Sequence, residues 1–254
     1  MTHRMMMLVG VVLAGLMQAV TAQMVEASPS LETIVQKHLD AQGGAARLKA
    51  IKSVTISSTD TYDGKTTTAV NTRMRPNLFR YEANDGTATM VKAFDGKVGW
   101  HSKDGAVEMI PADKVAMMKA KGFDDPLVDP AAANVKVELE GQEKLDGATA
   151  HVLKLTLANG DVQRRYIDAQ SYREVKRVAT WTYEGKTGTK TVAFSDFKTI
   201  DGVTMAMKSS YEKDGKWGTY TVTKVELDAP VKTALFSPPA KATDKAAALP
   251  ASTK

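Results

Sequence analysis

Cysteine is absent from all 254 residues. Disulfides, thiolate nucleophiles and cysteine-ligated metals are excluded together. So is the acylated cysteine of a bacterial lipoprotein, and no lipid anchor is expected. Histidine is scarce: His3, His38, His101 and His151 are all there are. No two have the spacing of helical metal ligands, and none neighbours a serine in a nucleophile elbow. A large excess of one charge is also missing, since the formal net charge is +5 and the densest basic clusters are pairs, Arg164-Arg165 and Lys176-Arg177. A nucleic-acid binder shows a basic stripe interleaved with stacking aromatics. Here the charge reads as a solvated surface, and no nucleic-acid partner is expected.

Two motifs invite chemistry and then withhold it. The GKT triplets at Gly64 and Gly185 lack the glycine five residues earlier that a phosphate loop needs; Thr59 and Thr180 stand there instead. Asp124, Asp125 and Asp129 offer hard oxygen ligands, but without the spacing or terminal glutamate of a calcium loop. No catalytic set, cofactor or metal site is expected, and the chain reads as a non-enzyme.

Long apolar runs are confined to one place. Arg4 precedes an uninterrupted apolar stretch over 5–17, and Val20-Thr21-Ala22 offers small residues for cleavage. That is the pattern of a secretory signal peptide over 1–22, and the run is short for a membrane span. Cleavage is expected after Ala22 or, as the second choice, after Ala27. An exported, periplasmic protein follows.

What the chain has in quantity is the hairpin turn. In residues 153–167, LKLTLANGDVQRRYI, leucines alternate with Lys154 and Thr156 before Asn159-Gly160. Alternation is the period of a half-buried strand, and Asn-Gly suits a two-residue type I′ turn. Such a turn would set Leu157 opposite Val162, Leu155 opposite Arg164 and Leu153 opposite Tyr166. Asp-Gly recurs at 63, 85, 95, 104, 146, 201 and 214, mostly between runs rich in Val, Thr, Tyr and Leu. One long antiparallel meander is predicted, and a long meander must curl to hide its apolar face and edges.

Strands are predicted over 54–62, 65–74, 79–83, 88–94, 98–102, 106–110, 135–139, 174–183, 189–197, 203–212 and 217–227, besides the organising hairpin. Ser30 can cap a helix bearing Leu31, Ile34, Val35, His38 and Leu39 on one face; Gly43-Gly44 ends it and a second helix follows over 45–51. Pro111 opens a third through about residue 121, followed by the loop 123–130, FDDPLVDP. One domain is read over 23–236. The low-complexity segment 237–254 reads as a disordered tail. Methionines at 74, 90, 109, 117, 118, 205 and 207, with Phe94, Trp100 and Phe123, supply a soft apolar surface suited to irregular ligands or to core filling.

These pieces, in order, resemble a known family. They are Gly43-Gly44 with Leu48 and Ile51; Arg75-Pro76-Asn77 with Arg80; Ala93-Phe94-Asp95-Gly96 leading to Gly99-Trp100; and Phe123-Asp124 with Pro126-Leu127-Val128. Then come Val137-Glu138-Leu139 with Gly141, Asp146-Gly147, Tyr166-Ile167-Asp168, Phe194-Ser195-Asp196-Phe197 with Asp201-Gly202-Val203, and Leu235-Phe236. The chain thereby resembles the periplasmic outer-membrane lipoprotein-sorting proteins, related in fold to the LolA and LolB carriers. The resemblance implies a mainly β protein, a curved antiparallel half-barrel with helices covering its open side. It also implies a cavity for lipid acyl chains, with 112–121 and the loop to Pro130 as a lid-like segment.

The expected function is therefore binding or carriage of a lipid or lipoprotein acyl chain without chemistry, by a monomer. Trp100, Met117, Met118, Phe123, Leu153 and Leu155 are the expected cavity residues. Two rivals stand beside this. One is an envelope interaction or sensor module whose half-barrel binds a protein partner; the other is a hydrolase or isomerase using the cavity as its active site.

Overall fold

The computed structural model describes residues 28–240 except 113, 116, 117, 119–122, 184 and 214. The expected signal peptide, both cleavage points, Met117 and most of the expected tail lie outside the described residues. Two helices come first, α1 (Leu31–Ala41) and α2 (Ala45–Ala50). Six strands follow: β1 (Ser53–Tyr62), β2 (Lys65–Met74), β3 (Leu78–Asn84), β4 (Thr89–Phe94), β5 (Gly99–Lys103) and β6 (Ala106–Met109). After the segment 110–135 come β7 (Lys136–Leu145), β8 (Ala148–Thr156), β9 (Val162–Asp168), β10 (Glu174–Tyr183), β11 (Lys186–Ile200), β12 (Val203–Lys213) and β13 (Lys216–Leu227). Ala112, Lys114, Val115 and Met118 are helical. No helix among the described residues is long and apolar enough to cross a membrane.

The thirteen described strands make one antiparallel sheet in the order β6-β5-β4-β3-β2-β1-β13-β12-β11-β10-β9-β8-β7. β1 and β13 pair at its centre, while β6 and β7 are its edges, so the half-barrel stays open. The Asp-Gly turns explain the connectivity. At Asp63-Gly64, Asp104-Gly105, Asp146-Gly147 and Asp201-Gly202 both residues take positive φ, the requirement of a type I′ hairpin.

The hairpin at Asn159-Gly160 differs from expectation. Leu155 faces Gln163, Lys154 faces Arg164 and Leu153 faces Arg165, one residue off the predicted register. The Leu157 amide bonds to Asp161 O and the Gly160 amide to Leu157 O, so three residues form the loop; Gly160 takes φ +86 while Asn159 stays at negative φ. This is a type I turn with a glycine bulge, the next commonest hairpin solution. The slip matters because it sets Arg165, not Arg164, on the face of Leu153 and Leu155.

That face carries the helices. Leu153, Leu155 and Ile167 are fully buried against Ile34 and Leu39 of α1 and Leu127 and Val128 of the following loop. Each such side chain contributes roughly 1.5–3 kcal/mol by leaving water. Ser30 caps α1, its Oγ accepting from the Thr33 amide at 3.2 Å. The other end docks on the β11–β12 turn: the Thr204 amide donates to Gln42 O at 3.0 Å. Gly43, at φ +115, approaches the Gly202 carbonyl so closely that a Cβ would collide with it. A residue with a side chain there would push the helix off the sheet.

Candidate functional site

Where α1 ends, the inner face of β10–β13 is left uncovered. A cavity of about 470 Å³ opens there, between Ala41 and Gln42 above and the sheet below. Its floor and walls are Val192, Phe194 and Phe197 of β11 with Val203 and Met205 of β12. Val192, Phe194 and Met205 remain only half-buried, so apolar surface faces the space. The volume falls in the range of small-molecule sites. A second cavity of about 170 Å³ lies under α2 and the loop, lined by Leu48, Ile51, Phe123 and Val128. Gln42 and Met205 border both cavities, so the two adjoin along the underside of the helices.

Tyr211 and Asp60 close one end of the larger cavity. The Tyr211 hydroxyl donates to Asp60 Oδ1 at 2.8 Å, and the ring stacks on Tyr62 at 5.8 Å between centroids. Burial, the Asp60 bond and the Asp60 charge together push the Tyr211 hydroxyl far above the phenol range, so it stays protonated as a donor. Gly218, opposite Tyr211, makes room for that ring, which a Cβ would strike. Lys190 Nζ lies over the same ring, 3.9 Å from its centroid.

A buried ionic chain forms the opposite wall. Arg177 grips Glu174 through Nε and Nη2 at 2.6 and 2.7 Å. Arg165, only 2% exposed, reaches Glu174 at 4.0 Å and both oxygens of Asp125 at 2.8 and 2.7 Å. Burial pushes the Asp125 carboxyl up, but Arg165, the Leu127 amide and Arg177 outweigh it and hold the group below its ordinary value. Arg75 takes the neighbouring Asp124, bonding Oδ2 at 2.7 Å, while its Nε donates to Ile51 O at 2.6 Å. Two of the three carboxylates considered as calcium ligands, Asp124 and Asp125, thus tie the loop to opposite wings of the sheet.

The expected cavity residues are dispersed. Leu153 and Leu155 sit in the dry core under α1. Met118 is buried with Phe94 and Val115 on the inner face of the other wing. Trp100 pairs with Ala93, and Phe94, the next residue along β4, faces Gly99; Trp100 is therefore on the opposite face from Met118. It packs with Val91 and donates from Nε1 to Phe236 O at 2.8 Å, beneath the C-terminal segment. Phe123 lines the smaller cavity, with the Arg75 guanidinium 4.6 Å from its ring centroid. None of these five lines the larger cavity, and Met117 lies outside the described residues.

Val192, Phe194 and Tyr211 are not among the expected cavity residues, and Met205 is expected only as one of the methionines of the soft apolar surface. The alternation Val192-Ala193-Phe194 marked one apolar face, as did Met205 with Met207. Neither pattern showed that α1 would stop short of them.

No protein-family model and no curated protein matches the chain. Solved structures do. A DUF1329 family protein from Desulfovibrio piger superposes with a TM-score of 0.57 at 13% identity, covering 83% of this chain and 98% of that one. A putative outer membrane lipoprotein-sorting protein domain from Vibrio parahaemolyticus gives 0.55 at 11%, covering 80% and 94%. A LolA superfamily protein from Nitrosomonas europaea gives 0.54 at 10%, covering 83% and 99%. The shared property is the fold, an open LolA-like half-barrel.

Proposed function

We propose that this LolA-like half-barrel is a periplasmic carrier that binds the acyl chain of a lipid or an acylated lipoprotein, as a monomer and without chemistry. The observation that carries the reading is the larger cavity: half-buried Val192, Phe194 and Met205 face about 470 Å³ of space beneath the end of α1. Leaving apolar wall wet is unfavourable, and an acyl chain entering it gains about 0.8 kcal/mol per buried methylene. Methionine and phenylalanine accommodate chains of varied shape because one is flexible and the other flat. The name of the Vibrio parahaemolyticus neighbour, a lipoprotein-sorting domain, supports the same ligand class. The adjoining smaller cavity, with Phe123, extends the path for a longer chain.

Native mass spectrometry of the mature protein from its own envelope, with solvent extraction, tests this. The expected result is a defined adduct that extraction identifies as a lipid or an acylated protein. Phe194→Asp should abolish the adduct while leaving the fold intact. A clean apo mass, with no uptake of a fluorescent fatty acid, would overturn the reading in favour of a protein-binding module.

A further inference from the structure

The ligand class can be narrowed from the charges around the larger cavity; the inference rests on the acyl-chain reading above. Four cations border the space, Arg173, Arg177, Lys190 and Lys208, against two carboxylates, Asp60 and Glu174, an excess of two positive charges. Only Glu174 is neutralised by a cation of its own; Asp60 keeps its charge and acts on Lys190. Glu174 is held by both forks of Arg177, and Asp60 accepts from Tyr211. Beyond the Arg177–Glu174 pair stand Arg173, whose guanidinium lies 5.2 Å from the Phe197 ring centroid, Lys208, and Lys190, which shares Asp60 with Tyr211. Arg173 and Lys208 are exposed, where solvent screens them; Lys190 is half-buried on the cavity floor.

We propose that the cavity is selective for an anionic amphiphile, whose carboxylate or phosphate head pairs with Lys190 while its chain lies along Val192, Phe194 and Met205. Lys190 rests on the Tyr211 ring face and lies opposite Lys213 across the strand pair. Burial and Lys213 push the ammonium below its ordinary value and Asp60 pulls it up, with burial the largest influence. Asp60 offsets the burial of this ammonium only in part, and an anion arriving in the cavity beside it adds a second, charge-assisted partner. A neutral head group would leave that ammonium as it is and gain nothing there.

The test uses delipidated full-length mature protein, Nile red as a neutral reporter, and three competitors: palmitate, its uncharged methyl ester, and palmitoyl lysophosphatidate. The two acids should displace the dye at roughly tenfold lower concentration than the ester, a typical effect for one charge-assisted contact. Comparing palmitate with the lysophosphatidate distinguishes a free fatty acid from an acidic lipid head group. In Lys190→Gln the preference for acids should collapse while the ester binds as before; Lys190→Arg should restore it. Equal displacement by palmitate and its ester from the unaltered protein would overturn the inference while leaving the acyl-chain reading standing. Failure of all three to displace a bound dye would overturn both.

Discussion

The same inner face of one sheet is finished in two ways. Under the body of α1, the β7–β9 wing is dry: Leu153, Leu155 and Ile167 are completely excluded from solvent. Beyond the last turn of α1, the β10–β13 wing keeps Val192, Phe194 and Met205 half-exposed around open space. Residue chemistry alone does not account for this, since both floors carry large apolar side chains, aliphatic in the dry region and joined by Phe194 in the open one. Helix reach does. An 11-residue helix spans about 16 Å at 1.5 Å per residue, too little to roof seven strands set about 4.8 Å apart. The cavity is what remains of a curved sheet when its roof is short.

Truncation should therefore act oppositely in the two regions, and this is the largest effect to seek. Leu153→Ala removes a side chain from a sealed core and should cost about 3 kcal/mol, read as a lowered denaturant midpoint at unchanged slope. Met205→Ala trims a wall that water already touches and should cost under about 1 kcal/mol, while weakening fatty-acid uptake at least severalfold. If Met205→Ala proved as destabilising as Leu153→Ala, the open region would be closed in solution and the comparison would fail.

The ionic wall between the regions ranks next. Arg165→Ala leaves Asp125 without its main cation in a poorly hydrated place, and a loss of about 2 kcal/mol is expected. Part of that cost belongs to the stranded carboxylate, so Asp125→Asn in the same chain should recover some of it. A double-mutant cycle with strictly additive losses would show that Arg165 supports the fold by packing rather than by holding the loop.

How far the sequence reveals this contrast depends on the range of the interactions involved. Turn chemistry is local, and Asp-Gly pairs placed the hairpins; β2 and β10 begin and end where periodicity puts them. The Ser30 cap and the Gly43-Gly44 stop were equally legible, because both act within one turn. The register at Asn159-Gly160 was not, because the same dipeptide serves two- and three-residue loops, and the choice between them moves every side chain to the other face. The pair Arg164-Arg165 read as surface charge. Alternation separates its members, with Arg164 bound to Glu140 at the surface and Arg165 sealed inside. The larger cavity depends on where α1 docks, a contact between Gly43 and Gly202 spanning most of the chain. Local pattern carries no trace of that contact, and the expected cavity residues are spread accordingly, with Trp100 on the face opposite to Met118.

The smallest expected effect concerns His38, on the boundary between the sealed and open regions. Its Nδ1 lies 2.8 Å from Tyr172 O, an acceptor, so that nitrogen carries the proton; Nε2, 2.8 Å from Gln42 Nε2, is then the acceptor. The imidazole is neutral, and burial pushes its pKa below the ordinary value; Arg165 adds to that shift, while the Tyr172 bond, Glu174 and Asp125 oppose it. Unfolded, the ring titrates near 6.5, so below that pH the unfolded chain binds more protons and stability falls. His151 is shifted in the same direction, also chiefly by burial, and shares the slope. Unfolding midpoints at pH 7.5 and 5.5 should therefore differ, the acid value being lower, and His38→Gln should narrow the gap without closing it. Because His38 holds Gln42, which borders both cavities, acid should also loosen the end of α1 and speed fatty-acid release. An unchanged midpoint across that pH range would mean that the ring is solvated, and that the sealed region stops short of Gln42.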